Sequence, residues 1–414
     1  MTRVVVTTLG SLGDLHPFLA IARALTEAGV STVLASAEPH RQEVEAEGVE
    51  FQPILSADEH ERAITHPQLW HPVRGFGVLW RHMAVRAIDP SWRLIQQEHE
   101  RHGPGLRVFT SPLVVGARLA RAVLPFHLTT AHLSPSGLRS SQDPFFVFGR
   151  RIPSWTPMAW RRQLWAWVDK KKLEPMARPG LVTWLQRHGQ EAPDGPIFER
   201  WLQSPDLVVG LFPPDFGDMP TDWPVRVVPV GFPLFESGRS HGMNVAAERL
   251  PFRPTHVVCT GSAPTAAAAG LRDLALRLAD AGHATLLIDG ATPAAVLPNL
   301  CIRKRVNLHE TLPGVRGLIH HGGIGMCAQG LAHGVPQRVW PSAYDQFDNA
   351  SRVASIQGQR YGQVALNNAR EALAHLEPRP ARLAHPGRLS LPGQPNEAVK
   401  QVMALVLQAH GQAS

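Results

Sequence analysis

Three short segments hold residues whose types and spacing could do chemistry. The first, Gly10-Ser11-Leu12-Gly13-Asp14, sets a carboxylate just behind two glycines. Glycines at such a turn permit a tight bend and close approach of a ligand. A carboxylate there serves as a helix cap, stabilising by about 0.5–2 kcal/mol, or as a general base at the crevice where open α/β sheets bind ligands. The G-x-G-x-x-G spacing of a dinucleotide site is missing. The second segment is Leu318-Ile319-His320-His321-Gly322-Gly323-Ile324-Gly325-Met326. Backbone N–H groups at a glycine turn opening a helix form an anion site, aided by the helix dipole. His321 adds a side-chain donor, and a charge-assisted hydrogen bond of this kind contributes about 1.5–3 kcal/mol. The third runs from Gly334-Val335-Pro336 through Trp340-Pro341 to Tyr344-Asp345-Gln346-Phe347-Asp348-Asn349. Its acid–amide pair either caps a helix starting near Asp348 or hydrogen-bonds adjacent hydroxyls of a sugar, Asp accepting and Gln doing both.

These segments need strands and helices to place them. Residues 3–8 form a β-branched run suited to a strand buried on both faces. Leu15, Phe18, Leu19, Ala22 and Leu25 then recur at helical spacing, and Gly29 stops the helix. A strand over 32–35, a helix over 38–47 and a strand over 49–53 follow. That alternation calls for a parallel sheet with right-handed crossovers. The rhythm fades over 60–200 and resumes near 207–209 and 225–230. After a Pro-, Gly- and Ser-bearing stretch at 233–254, a second unit is expected. Its strands are 255–259, 284–289, 315–320 and 335–340, its helices 266–281 and 326–332, with a last helix near 397–409.

The length of 414 residues suits two or three domains with ample core. Hydrophobic residues at 44% and charged residues at 18% exclude a disordered chain. No apolar run nears the ~18 residues of a membrane helix, and the N-terminus lacks a signal-peptide pattern, so a cytoplasmic location is expected. The odd set Cys259, Cys301 and Cys327 reads as reduced thiols without metal-ligand spacing. A net charge of +7 suits an anionic small substrate or peripheral contact with an anionic membrane; the scattered basic residues disfavour nucleic acid. Nine of the eleven tryptophans fall between Trp70 and Trp201, as ordinary core or as the wall of a pocket for an apolar ligand.

The second and third segments together, His-His-Gly-Gly-x-Gly … Gly-Val-Pro … Asp-Gln-x-x-Asn-Ala, resemble the donor-binding signature of family 1 glycosyltransferases of the GT-B fold. The opening Gly-Ser-x-Gly-Asp-x-x-Pro is similar to the N-terminal loop of bacterial members. Within the family the likeness leans to the rhamnolipid-type rhamnosyltransferase B chains, with sterol and antibiotic glycosyltransferases next. The resemblance implies an α/β protein with two Rossmann-like domains facing a cleft. It implies an acceptor-binding domain over 1–232, a linker over 233–254, a nucleotide-sugar-binding domain over 255–392, and a C-terminal helix within 393–414 packing back on the first domain.

The implied reaction is an inverting transfer from a UDP- or dTDP-sugar, L-rhamnose being one candidate sugar, to a hydroxyl of an apolar, lipid-like acceptor. Asp14 stands where such enzymes place the base. Ser262, His321, Gly323, Ile324, Gly325 and Met326 would hold the diphosphate, Gln329 the ribose, and Asp345 with Gln346 the sugar hydroxyls. Gly13, Trp70, Trp80 and Trp155 are the candidate acceptor residues. With no Asp-x-Asp in the chain, no metal or other cofactor is expected. Met326 replaces the Thr or Ser usual in the family. It motivates the alternative of a catalytically impaired GT-B binding protein, alongside a sterol or natural-product glucosyltransferase. A GT-B epimerase is disfavoured, since it needs no apolar acceptor pocket.

Overall fold

The computed structural model describes residues 2–142, 146–147, 149–153, 155–216, 220–235, 250–261, 266–366 and 397–408. Two sheets organise the chain. The first holds β1 (Arg3–Thr7), β2 (Ser31–Ala37), β3 (Glu50–Leu55), β4 (Leu106–Thr110), β5 (His127–His132), β6 (Leu207–Gly210) and β7 (Val227–Pro229). Its order is β3-β2-β1-β4-β5-β6-β7, every pair parallel. The second holds β8 (His256–Cys259), β9 (Thr285–Ile288), β10 (Ala295–Leu297), β11 (Leu300–Arg303), β12 (Gly317–His320) and β13 (Gln337–Val339). Its order is β10-β11-β9-β8-β12-β13, parallel except for the β10–β11 pair.

Helices that matter for the site are α1 (Leu12–Glu27), α2 (Met158–Val168), α3 (Ala266–Asp280), α4 (Ile324–Ala332), α5 (Gln346–Ile356) and α6 (Glu397–Gln408). α1 turns its Leu15, Phe18, Leu19 and Leu25 into a core shared with Val4 and Val6 of β1. α6 returns to that same core through Val399, Val402 and Val406. Most of the 233–254 stretch lies outside the described residues.

The stretch over 60–200 departs from its sequence appearance. β4 and β5 fall inside it and continue the parallel sheet at its centre. Polar residues hide them: Arg107, Thr129, Thr130 and His132 are buried in these strands. Some of these buried groups find partners, since His132 Nε2 meets Gln203 Oε1 at 2.7 Å and Thr7 donates to Thr110 at 2.7 Å. A buried polar group with a partner costs little, so such a strand need not read as an apolar run. β10 and β11 are two further strands absent from the sequence pattern.

The tryptophans of this stretch divide by environment. Trp80 is 2% exposed and packs against Phe198 at 4.9 Å among Ala177, Leu181 and Leu185, so it is core rather than an acceptor wall. Trp92 and Trp184 pack edge to face at 4.8 Å. Trp155 is 80% exposed and projects into solvent, so among the described residues it lines no pocket either.

Candidate functional site

In open α/β sheets, ligands settle at the carboxyl ends of strands where the strand order reverses. The first sheet reverses between β1 and β4, and the Gly10–Asp14 turn leaves β1 there. The second reverses between β8 and β12; the turns at Gly261 and at His321–Gly323 leave those two strands.

At the first turn Gly10 has φ +134°, and a Cβ added there would lie 2.3 Å from Asp14 Oδ2. A glycine is thus required beside this carboxylate. The Ser11 N–H and hydroxyl both donate to Asp14 Oδ2, at 2.7 and 3.0 Å. Asp14 therefore does cap α1, through one oxygen. Among the described residues Oδ1 has no hydrogen-bond partner, so capping leaves one carboxylate oxygen uncommitted. Burial raises the Asp14 pKa, and the Ser11 bonds pull it back. Gly13 is exposed beside it in the first turn of α1.

At the second turn the two histidines part company. His320 is fully buried; Gly322 N–H donates to its Nδ1 at 3.1 Å, which leaves the Nε2 proton for Gln337 Oε1 at 2.9 Å. Burial pushes its pKa down to about 3, so it is a neutral ring that fixes the turn. His321 lies between Gly261 and Gly323, at both of which a Cβ would collide with the ring, at 2.7 and 2.5 Å. Burial lowers its pKa to about 4, opposed by the Cys259 carbonyl. Its Nδ1 is buried without a hydrogen-bond partner. Gly323 caps α4 without a side chain, so the N–H groups of Ile324 and Gly325 have no helical partner. Met326 N–H bonds back to the Gly323 carbonyl at 3.1 Å, and its side chain packs against the core cluster that includes Val257 and Leu286. Met326 thus contributes to packing, and its N–H is taken. Gln329 lies further along α4 and is 8% exposed. Ser262 lies outside the described residues.

The third segment ties the halves together. Asp345 Oδ2 accepts from Asn349 Nδ2 at 2.8 Å, and the same amide donates to the Gly322 carbonyl at 3.0 Å. Ser134 of the first half donates to Asn349 Oδ1 at 2.9 Å. Burial raises the Asp345 pKa to about 7, with the charges of Asp14 and Asp348 adding to the rise. Asp14 also raises the Tyr344 phenol, after burial. Asp14 therefore stands close enough to feel the Asp345 loop from the opposite half. Gln346 Oε1 accepts from Ser342 and Ala343 N–H at 2.8 and 3.1 Å, so its oxygen shapes the loop and only its amide N–H groups remain for a ligand.

Tyr344 is the residue sequence reasoning missed. It sits at φ 54°, donates to the Leu69 carbonyl at 2.6 Å and meets the Trp70 ring edge at 5.5 Å. Trp70 Nε1 is buried without a partner. Of the candidate acceptor tryptophans, Trp70 alone joins the cleft. Asn349 was legible as part of the motif; nothing in the sequence marks Tyr344. Among the described residues no group of three or more His, Cys, Asp or Glu could hold a metal. A 480 Å³ cavity lined by Arg118, Trp201 and Asp194 includes none of these residues.

Residues 4–89 match the glycosyltransferase family 28 N-terminal domain, and residues 288–376 match the C-terminal domain of erythromycin biosynthesis protein CIII-like proteins. An O-mycaminosyltylonolide 6-deoxyallosyltransferase of Streptomyces fradiae is 26% identical over 391 residues, covering 90% of this chain and 88% of its own. The solved glycosyltransferase of kitacinnamycin superimposes with TM-score 0.64 at 19% identity, over 99% of this chain and 96% of its own. The Streptomyces sp. SF2575 glycosyltransferase SsfS6, complexed with thymidine diphosphate, does so with TM-score 0.57 at 19% identity, over 87% of each chain. The finer likeness to rhamnolipid-type enzymes is not shown by these relatives. With both matched stretches in order on one two-sheet arrangement, the chain has the GT-B fold of the solved glycosyltransferases it resembles.

Proposed function

We propose that the protein transfers a 6-deoxyhexose from a dTDP- or UDP-linked donor to a hydroxyl of an apolar acceptor, with inversion at the anomeric carbon. Asp14 Oδ1 takes the proton of the acceptor hydroxyl as its oxygen attacks that carbon. The bond from the carbon to the diphosphate oxygen breaks, and the diphosphate leaves with the electron pair. His321 and the N–H groups of Ile324 and Gly325 receive the growing charge; each preorganised donor of this kind can contribute about 2.7–4 kcal/mol. Asp345 and the Gln346 amide orient the sugar hydroxyls. No step uses a metal ion. The observation that carries this reading is that α1, which bears Asp14, packs against α4, whose opening turn holds His321 and is bonded at Gly322 through Asn349 to Asp345.

The deoxyallosyl donor named for the Streptomyces fradiae relative and the thymidine diphosphate of the solved neighbour support the sugar and nucleotide classes. The motif likeness favours L-rhamnose and a lipid-like hydroxyl. A second reading takes a natural-product acceptor, and the O-mycaminosyltylonolide named for that relative favours it.

Thermal unfolding with UDP, dTDP and GDP sugars tests the donor, because a ligand at about 100 times its dissociation constant stabilises by about 2.7 kcal/mol. dTDP or UDP sugars are expected to raise the midpoint and GDP sugars to leave it unchanged. Mass spectrometry of products from hydroxy fatty acids and macrolide aglycones then separates the acceptors. A protein that binds none of these donors and glycosylates neither acceptor class refutes the proposal.

A further inference from the structure

We propose that residues 150–153 and 155–172, centred on α2, form a docking face for an anionic lipid surface. The inner face of α2 is already satisfied. Arg161 donates to the carbonyls of Thr156, Ser141 and Pro153. Trp165 Nε1 donates to the Ser140 carbonyl at 3.2 Å, and Arg139 lies over its ring at 4.3 Å while pairing with Asp169. Val168 is buried.

With that face filled, large apolar groups still stand in solvent. Trp155, Trp160 and Trp167 are 80%, 66% and 47% exposed, and Met158 is 42% exposed. Trp160 and Trp167 are seven residues apart, which puts them on one stripe of the helix. An exposed patch of this kind marks an interaction surface, and tryptophan is the side chain that favours the lipid–water boundary.

Charge selects the partner. Arg150, Arg151, Arg162, Lys170, Lys171 and Lys172 are all exposed around these tryptophans. The one acid in the stretch, Asp169, is buried against Arg139. A second copy would bring the same cations face to face and be repelled. Anionic headgroups are attracted to the cations while the indoles enter the boundary.

The face also adjoins the cleft. The hairpin of Phe146–Val147 and Arg150–Arg151 lays Phe146 on Phe347 at 6.1 Å, one residue beyond Gln346. An apolar acceptor dissolved in the lipid surface would thus reach the site from its own phase. The lipid contact does not depend on the transfer reaction and stands or falls separately from it.

Flotation of the full-length protein with vesicles of phosphatidylglycerol and phosphatidylcholine, against phosphatidylcholine alone, is the test. The protein is expected to float with the anionic vesicles, with a blue shift of tryptophan emission. Raising salt from about 0.05 M to about 0.5 M should weaken this about tenfold or more. The pair Trp160→Gln with Trp167→Gln, and separately the triple Lys170→Gln, Lys171→Gln, Lys172→Gln, should each lose about tenfold in partition without a fall in thermal midpoint. Asp14→Asn should float like the wild type. The proposal is overturned by absent flotation, by equal flotation with phosphatidylcholine alone, or by tryptophan variants that float unchanged. It is also overturned by a concentration-dependent dimer in sedimentation that the tryptophan variants abolish.

Discussion

Asp14 caps α1 with one oxygen, and the proposed base is the other. Oδ2 closes the turn on Ser11, and Oδ1 is left for the cleft. An asparagine keeps an oxygen for the Ser11 donors and removes the base. Asp14→Asn should therefore fold normally, bind donor nucleotide, and lose about 10²–10⁴-fold in kcat, read by steady-state kinetics beside calorimetry. His321 has the opposite balance. Its ring packs against two glycines and supports no helix, so His321→Ala should weaken nucleoside diphosphate binding about tenfold or more by calorimetry. Asp345 makes a prediction about pH. Its folded pKa of about 7 lies above that of an ordinary carboxyl, so the folded state holds a proton the unfolded chain has released. Stability from this residue is therefore present at low pH and is lost as pH climbs from about 4 to about 7, by up to a few kcal/mol. Asp345→Asn should flatten that slope and exceed the wild type in thermal midpoint at pH 8 but not at pH 4. Equal slopes would mean the carboxyl ionises normally.

Elements aim these side chains. The α4 N-terminus points its free N–H groups at the switch point because β12 ends in a neutral histidine that pins Gly322. On the facing side, the loop ahead of α5 is held in a strained conformation at Tyr344, the kind of φ that costs on the order of 1 kcal/mol for a non-glycine residue. Its hydroxyl bond to Leu69 crosses the halves and holds that conformation. Tyr344→Phe keeps the ring against Trp70 and deletes the bond, so it should cost about 0.5–1.5 kcal/mol in urea unfolding. The donor KM should rise with it, since Asp345 is the next residue.

At the scale of the whole molecule, the two halves are joined by a helix and by cross-contacts. α6 follows the second half in sequence yet seals the core of the first, with Val402 fully buried against it. Val402→Ala should cost about 2 kcal/mol by denaturant unfolding, from lost burial and the residual cavity. Further contacts join the halves. Arg352 donates to the Phe216 carbonyl at 3.1 Å, Arg305 pairs with Glu43 at 2.9 Å, and Ile324 and Leu331 pack with Phe212 and Phe216. Glu43 is also bonded to His16, two residues beyond Asp14, so the pair with Arg305 joins α1 to the second half.

Local rules were enough for much of this protein. Alternating apolar runs, glycine turns and helical periodicity give β1, α1, β2, β8, α3, β12 and α4, because each depends on neighbours in sequence. The same rules single out Asp14, His321 and Asp345 as candidates, with helix capping or turn structure left as the other use of such groups. β4 and β5 were not legible, because buried polar residues interrupt their apolar runs, and some of these are satisfied only by partners far along the chain, such as Gln203 for His132. The fate of each tryptophan was equally closed to the sequence. Trp80 in the core, Trp70 at the cleft and Trp155 in solvent share one residue type, and only packing distinguishes them. Tyr344 owes its role to Leu69, 275 residues away in the chain, and the packing of α1 on α4 exists only once two sheets have met. Contacts between distant residues depend on how whole elements pack, and no local spacing records that.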